Sequence, residues 1–273
     1  MSDNDKNIRM GGENEIPKEF LDNEFVIPTD DVILPSNGMF YANKQNSVKV
    51  RCLTAEDENI LTNPDLIRSG RVLNVLLDSA VIDKTLRPEK MISGDRNAVM
   101  LKLRSIGYGD DYEVKISCEK CSADFKSTVK LSELKNKPTA FPPDQLGEFS
   151  LTLPNSKIDI KFRMLTGEDE DRLMKVANTA KKKIGNNSFI TGLLTERYLL
   201  QIMEVKGNRD KTYIKKFISA MPISDSLFLR EYIKNTEPGV DMEHTFECPE
   251  CQAFTTTDVP ITAKLFWPNS DID

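Results

Sequence analysis

Two Cys-x-x-Cys motifs are the part of this sequence best suited to chemistry. The first runs from Cys118 to Cys121 and the second from Cys248 to Cys251. Two intervening residues let both sulfurs of one motif reach a single metal ion from a tight turn. Four thiolates from two such motifs match the tetrahedral coordination of structural Zn²⁺ sites. The fifth cysteine, Cys52, has no partner at a comparable spacing, and we expect it to pack as a small apolar residue.

The long separation between the two motifs limits how they can bind metal. A one-piece zinc ribbon separates its cysteine pairs by roughly 15–20 residues, whereas more than a hundred lie between these motifs. Two independent sites would each give zinc only two protein ligands, which is too few for a structural site. The sequence therefore predicts one composite, zinc-ribbon-like site with structural Zn²⁺ as cofactor and four cysteine ligands, Cys118, Cys121, Cys248 and Cys251.

A short sequence repeat suggests how the chain brings these motifs together. The sequence RCLTAEDE at residues 51–58 recurs as RMLTGEDE at residues 163–170. Alternating apolar and polar residues precede both copies, which is typical of a half-buried strand. A threonine followed three residues later by an aspartate then predicts an N-capped helix. The acidic residues need no catalytic explanation, because the helix dipole favours negative charge in the first turn.

A second pair of matching segments supports internal duplication. Asp95 and Asp225 each lie at the start of a helical pattern, and equal numbers of residues separate them from the following cysteine motif. Gly109 and Gly239 occupy equivalent positions within those intervals. The ordered matches predict a unit of strand, capped helix, second helix and zinc-knuckle hairpin that occurs twice. We expect the two halves to pack with pseudo-two-fold symmetry.

These patterns predict an α+β fold divided into five segments. The expected segments are a flexible polar N-terminus (1–24), a first repeat (25–135), a proline-rich linker (136–147), a second repeat (148–263) and an acidic tail (264–273). Helices are expected near residues 72–82, 96–106, 168–183, 191–204, 212–220 and 225–235, and a cysteine hairpin over 112–131.

Composition and charge narrow the range of functions. The formal net charge is −6 and the isoelectric point about 5.2, so a nucleic-acid partner is unlikely on electrostatic grounds. The best basic cluster, Lys181–Lys183, is explained as a solvated helix end. No apolar run approaches the roughly 20 residues of a membrane span. Unpaired cysteines fit a reducing cytoplasm.

The sequence supports a catalytic role of the cysteines less well than a structural zinc site. A redox Cys-x-x-C motif normally lies where a strand enters a helix, since the helix N-terminus lowers a thiol pKa. Both motifs here lie between strand-like segments instead. The single histidine, His244, falls on the strand before the second motif, and we expect it to be a surface residue. We therefore predict that the protein is not an enzyme and has no catalytic residues.

The opening of the chain resembles a known family. Residues 32–41 (VILPSNGMFY) and 48–58 (VKVRCLTAEDE) are similar to the start of baseplate proteins of T4-like tailed phages, described as hub subunits or hub assembly proteins. The helix near Asp95 and the first cysteine motif also resemble that family. The likeness covers most of the chain, but its short opening motif is the most specific part.

The resemblance implies a structural role in building the central hub of a contractile tail. The expected partners are other phage baseplate and hub proteins, and the expected locations are the host cytoplasm during assembly and the tail baseplate of the virion. Two alternatives remain open at this stage. One is a zinc-ribbon accessory protein that binds nucleic acid or RNA polymerase, and the other is a Cys-x-x-Cys thiol oxidoreductase.

Overall fold

Helices and short antiparallel sheets alternate along the chain, as the predicted α+β class requires. The computed structural model describes residues 26–184, 192–259 and 265–266. The predicted N-terminal segment and most of the predicted acidic tail lie outside the described residues.

The first half begins with an antiparallel hairpin in which Val32 is paired with Val48. Three short helices, one long helix and a second hairpin follow. The elements are β1 (Thr29–Ile33), β2 (Ser47–Arg51), α1 (Ala55–Leu61), α2 (Pro64–Ser69), α3 (Val72–Ala80), α4 (Ser93–Tyr108), β3 (Asp111–Ser117) and β4 (Asp124–Lys130).

The second half also has four helices, but it has seven strands where the first half has four. Its elements are β5 (Asn136–Lys137), β6 (Glu148–Thr152), β7 (Asp159–Arg163), α5 (Gly167–Ile184), α6 (Leu193–Gln201), β8 (Ile202–Val205), α7 (Lys211–Ala220), α8 (Ile223–Thr236), β9 (Gly239–Val240), β10 (Glu243–Glu247) and β11 (Phe254–Asp258). Strand β5 falls within the predicted linker and pairs with β9. Beside this pair, the N–H of Asp241 donates to the carbonyl of Lys135 in the first half at 2.7 Å.

One predicted helix is partly wrong. Residues 191–204 were expected to be helical, but helix α6 ends at Gln201 and the chain continues as strand β8. Strand β8 pairs with β7, and its two end residues, Ile202 and Val205, are buried. A β-branched residue at each end packs better on a sheet than on a helix, so tertiary packing prevailed over the helical pattern. The helices expected elsewhere are confirmed by α3, α4, α5, α7 and α8.

Buried apolar side chains form two clusters that do not follow the halves strictly. The first cluster joins β1–β4, α3 and α4, and it also contains Phe246 and Val259 from the second cysteine hairpin. The second cluster joins β6–β8 and α6–α8, and it contains Ile92 from the first half. Since each half contributes side chains to the core of the other, the two halves interlock.

The repeated sequence RxLTxxDE forms the same ion pair in both halves. Arg51 binds Asp57 through two bonds of 2.6 and 2.9 Å, and Arg163 binds Asp169 at the same two distances. Each aspartate also accepts the backbone N–H of the preceding threonine, which is one half of a capping box. The predicted caps are therefore confirmed, but the arginine partner was not foreseen.

The environment of Asp57 shows why this junction is rigid. Burial acts to raise the pKa of Asp57, but hydrogen bonds from Arg51, Thr54 and Ser79 outweigh it and hold the pKa well below its usual range. The carboxylate is 1% exposed. A buried carboxylate with all these donors fixes the angle between β2 and α1.

A second shared arrangement connects each opening hairpin to its long helix. After β1, the backbone N–H and hydroxyl of Ser36 donate to the buried carboxylate of Asp95 at 2.8 and 2.5 Å. After β6, the backbone N–H groups of Asn155 and Ser156 donate to Asp225 at 2.8 and 2.9 Å. Both turns follow a Leu-Pro dipeptide, a signal in the sequence that the repeat analysis missed.

Contact between the halves is asymmetric. Gly94, in the first turn of α4, lies so close to the chain after α8 that a Cβ built on it would be 1.7 Å from the carbonyl oxygen of Pro238. The equivalent contact would bring Ser224 against Gly109, but a Cβ built on Gly109 meets nothing within 4 Å. The expected pseudo-two-fold packing therefore does not extend to the long helices.

The close approach at Gly94 gives a direct test of how the halves pack. Replacement of Gly94 by alanine should lower the free energy of unfolding by about 2 kcal/mol or more, because backbone atoms must move to accommodate the methyl group. Urea denaturation monitored by circular dichroism measures this loss. The matched control is Ser224→Ala at the exposed equivalent position, expected to change stability by less than about 0.5 kcal/mol. Equal stability of the two variants would contradict the packing.

Candidate metal centre

Two β-hairpins carry the Cys-x-x-Cys motifs at their tips. Strands β3 and β4 flank the first motif, and the shorter strands β10 and β11 flank the second. The N–H of Cys118 donates to the carbonyl of Ala123, and the N–H of Ser122 donates to the carbonyl of Cys118, both at 2.9 Å. The second hairpin makes the same two bonds at the same distances, between Cys248, Ala253 and Gln252. The two turns are therefore equivalent.

A left-handed residue follows each motif. Ser122 has a φ of 59° and Gln252 has a φ of 54°. Residues other than glycine rarely adopt this left-handed backbone conformation. This conformation reverses the chain after the second cysteine, so that both sulfurs of a motif lie on the same side of the turn. The same local geometry in both hairpins explains why two residues between the cysteines are sufficient.

The hairpins bring the four sulfurs together. All four lie within 4.8 Å of one another. The Cys118 and Cys251 sulfurs are 3.7 Å apart, and those of Cys121 and Cys248 are 3.8 Å apart. A tetrahedron with Zn–S bonds of about 2.3 Å requires sulfur–sulfur separations of about 3.8 Å. The cluster therefore has the size of a tetrahedral thiolate site, and it can hold a metal ion.

Disulfide formation does not account for these distances. A disulfide bond is about 2.05 Å long, so all five cysteines are free thiols. Cys118 and Cys248 are buried, whereas Cys121 is exposed and Cys251 is partly exposed. The first cysteine of each motif thus lies inside the protein and the second lies at the rim. Nearby, the N–H of Glu119 is 3.5 Å from the Thr255 hydroxyl, a further weak contact between the hairpins.

The backbone of the first knuckle favours a thiolate. Backbone N–H groups of Cys121 and Lys120 point at the Cys118 sulfur and lower its pKa to about 6. At Cys121, the N–H of Ala123 acts to lower the pKa, but the sulfurs of Cys251, Cys118 and Cys248 outweigh it and raise the pKa to about 12. The opposite shifts at Cys118 and Cys121 show that one thiolate opposes loss of the proton from the neighbouring thiol, and a bound cation removes this opposition.

The remaining candidates from the sequence lie outside this cluster. His244 is on β10, where its ring packs against Phe246 with ring centroids 4.8 Å apart, and it does not belong to the group of potential metal ligands found among the described residues. Cys52 is partly exposed, is a free cysteine and does not belong to this group of four. Both knuckles are hairpin turns, so no helix N-terminus acts on their thiols.

Comparison with known proteins assigns the chain to a family. The family model of T4 bacteriophage base plate proteins matches residues 28–267, which is most of the chain. This protein belongs to the T4 bacteriophage base plate family. No curated protein and no solved structure matches the chain significantly. The resemblance to baseplate proteins of T4-like phages is confirmed, and the match includes both cysteine motifs.

Among the described residues of this base plate protein, no helix is both long and apolar enough to span a membrane.

A second feature of the base plate protein is a cleft between its halves. The cleft encloses about 700 Å³ and is lined by residues of both halves, including Gly94, Leu165, Met174 and Glu237. A neighbouring cavity of about 490 Å³ also reaches Glu237. No sequence pattern marks this glutamate, because only the folded chain places the end of α8 at a cleft that residues of α5 and α6 also line.

Glu237 is the most perturbed carboxyl group of the cleft. Burial raises its pKa to about 7, and the nearby carboxylate of Glu170 acts in the same direction. Arg197 and Lys137 act to lower the pKa, but they do not compensate for the loss of solvent. Ionised Glu237 therefore weakens the folded state at neutral and alkaline pH.

The raised pKa predicts a defined pH dependence of stability. Between about pH 4.5 and pH 7 the folded protein holds a proton on Glu237 that the unfolded chain has lost, so stability falls as the pH rises through this window. Replacing Glu237 by glutamine should add about 1–2 kcal/mol at pH 8 and almost nothing at pH 5. Urea denaturation at both pH values measures the difference.

The control for this experiment is Glu231→Gln, which changes an exposed glutamate on the same helix. This variant should behave like the unmodified protein at both pH values. A pH-independent effect of Glu237→Gln would show that the carboxyl group is not desolvated in the cleft.

Proposed function

We propose that this protein is a structural component acting in assembly of the central hub of the baseplate in a contractile, T4-like tail. The observation that carries the proposal is the family match over residues 28–267. The opening motif, with residues 32–41 and 48–58, adds the more specific likeness to hub subunits and hub assembly proteins. Its partners are other baseplate and hub proteins, met in the host cytoplasm and, for a hub subunit, kept in the virion.

The interlocked fold supports a role as a scaffold. The first core takes Phe246 and Val259 from the second hairpin, and the second core takes Ile92 from the first half. Strand β5 pairs with β9, and the cysteine cluster holds the hairpins together as a third connection. A chain held at several points offers rigid surfaces, which lowers the entropic cost of joining an assembly.

The two halves are proposed to be internal repeats, over residues 25–135 and 148–263. Three equivalent arrangements in the same order support the duplication. They are the Leu-Pro turn bound to an aspartate, the Arg–Asp pair at a strand–helix junction, and the Cys-x-x-Cys hairpin. Unrelated segments that matched by chance would not share both the order and the hydrogen bonds.

Structural Zn²⁺ is the proposed cofactor, with Cys118, Cys121, Cys248 and Cys251 as its ligands. The four sulfurs have the spacing of a zinc tetrahedron, and four protein ligands leave no open position for substrate or water. The metal would join the two halves and have no direct part in chemistry. A site of this type contributes to folding because the unfolded chain does not hold the metal.

Metal analysis tests the zinc site. Elemental analysis of the full chain, purified without chelators, should find one zinc per molecule. Replacement of Cys248 by serine should remove the metal and lower the free energy of unfolding by about 3 kcal/mol or more. The matched control is Cys52→Ser, which should retain one zinc and nearly full stability. A zinc-free native protein, or a Cys248→Ser variant that keeps its zinc, would refute the assignment.

A genetic experiment tests the hub role. A phage with an early stop codon in the gene for this chain should produce tail parts without complete baseplates, because the hub cannot form. Expression of the intact chain from a plasmid should restore complete tails. Mass spectrometry of purified tails then determines whether the chain stays in the particle or leaves after assembly. Normal tails in the absence of the chain would contradict the proposal.

A further inference from the structure

The smaller cavity beside the cleft, of about 490 Å³, is lined by residues of helices α6 and α8. Leu193 and Leu194 belong to α6, and Ile233 belongs to α8. We call this cavity the α6–α8 groove. Its volume falls in the range of ligand-binding pockets, roughly 300–1,000 Å³.

The groove has an apolar base that is open to solvent. Ile233 is only 4% exposed, whereas Leu194 is 42% exposed. Leu193 lies between these two and is half-buried. An apolar side chain brought into the groove would leave water, which favours its binding.

Three basic side chains line the same groove. Arg197 belongs to α6, and Arg230 and Lys234 lie about one turn apart on α8. Among the described residues, Arg230 has no hydrogen-bond or ion-pair partner. Arg197 donates to the uncharged side chain of Gln201 at 3.4 Å. Lys234 pairs with Asp258 at 3.4 Å, but both side chains are mostly exposed, and such surface pairs contribute little to stability.

Little negative charge balances these basic residues. Glu237 is the one acidic residue among the described residues that line the groove. Burial raises the pKa of Glu237 to about 7, so this residue is only partly ionised at neutral pH. Three basic residues and one acidic residue leave an excess of at least two positive charges, in a chain whose net charge is −6.

The larger cleft beside the groove has no such excess. Three basic and four acidic residues are found among its described lining residues. Positive charge is therefore concentrated in the α6–α8 groove, next to the apolar base. This combination attracts a partner that is both anionic and apolar.

We propose that the α6–α8 groove binds an acidic amphipathic helix of another protein. Apolar side chains of that helix contact Leu193, Leu194 and Ile233, and its carboxylates pair with the three basic residues. Charge complementarity selects this partner, because a basic helix would place like charges together. A helix suits the groove, since it carries apolar anchors three or four residues apart with charged residues beside them. The source of the helix rests on the proposed function: in baseplate assembly it belongs to another baseplate protein.

Two synthetic peptides test the groove on the purified full chain. One is a helical peptide of about 14 residues with leucine and glutamate at helical spacing, and the other has lysine in place of each glutamate. Fluorescence anisotropy of the labelled peptides measures binding at protein concentrations up to about 100 µM. The acidic peptide should bind and the lysine peptide should not. Binding of the acidic peptide should weaken at least about 10-fold from low salt to about 0.5 M salt, because salt screens exposed charges.

Charge reversal identifies the binding surface. Arg230→Glu should weaken binding of the acidic peptide at least about 10-fold, because it replaces an attractive charge by a repulsive one. The matched control is Lys216→Glu, at an exposed basic residue of α7 outside the groove, which should bind as the unmodified protein does. Leu194→Asp should also weaken binding, since it places a negative charge on the apolar base. Circular dichroism and urea denaturation establish that each variant is folded.

Several outcomes would overturn the proposal. They are no binding of the acidic peptide, equal binding of both peptides, and an equal effect of Arg230→Glu and Lys216→Glu. A third peptide copies residues 13–25 of this chain, which include five acidic residues and one basic residue. If this peptide binds more tightly than the leucine–glutamate peptide, the occupant is the chain's own N-terminal segment and not another protein. Because the measurement uses purified protein, its result does not depend on whether the chain acts in the hub.

Discussion

The packing of four cysteine sulfurs within 4.8 Å is the constraint on which the arrangement of the two halves depends. Each sulfur pair comes from a two-stranded hairpin, and an isolated hairpin of this size is only marginally stable in water. The second hairpin is held by burying Phe246 and Val259 in the core of the first half. Hairpin, core and thiol cluster therefore support one another, and removal of one weakens the other two.

Buried carboxylates fix the elements that carry the hairpins. Asp57 and Asp169 each hold an arginine and the N-terminus of a helix, while Asp95 and Asp225 hold the turn that precedes the next strand. Such groups are costly to bury unless donors surround them, and here the donors are backbone N–H groups, side-chain hydroxyls and the two arginines. The cost favours a single geometry, since any other arrangement would leave a charge unpaired.

The two long helices, α4 and α8, pack asymmetrically. A true two-fold arrangement would bury both α4 and α8 at equivalent contacts and leave neither available. Instead, Gly94 permits a close approach at α4, while Ser224 and its apolar neighbours stay at the surface. The two long helices therefore differ in how they pack, although each binds a preceding turn through a buried aspartate.

The local features of the fold follow from short sequence patterns. Alternating residues before Arg51 and Arg163 specify strands, a threonine and an aspartate specify each helix start, and the spacing within Cys118–Cys121 specifies a turn that aims two sulfurs in one direction. These features depend on neighbours within about six residues, so one chain is enough to recognise them.

How the helices and strands pack against one another depends on contacts between segments that are distant in the sequence. Residues 202–205 became a strand because β7 offered a pairing edge, and Glu237 acquired its raised pKa because α5 and α6 cover it. The sequence predicted four cysteines at one site, but the close approach of α4 to the chain after α8 depends on the missing Cβ of Gly94, which no sequence pattern reveals. Strand pairing, side-chain burial and close backbone approach depend on contacts between segments that are far apart in the sequence. The sequence alone does not specify the distances between those segments.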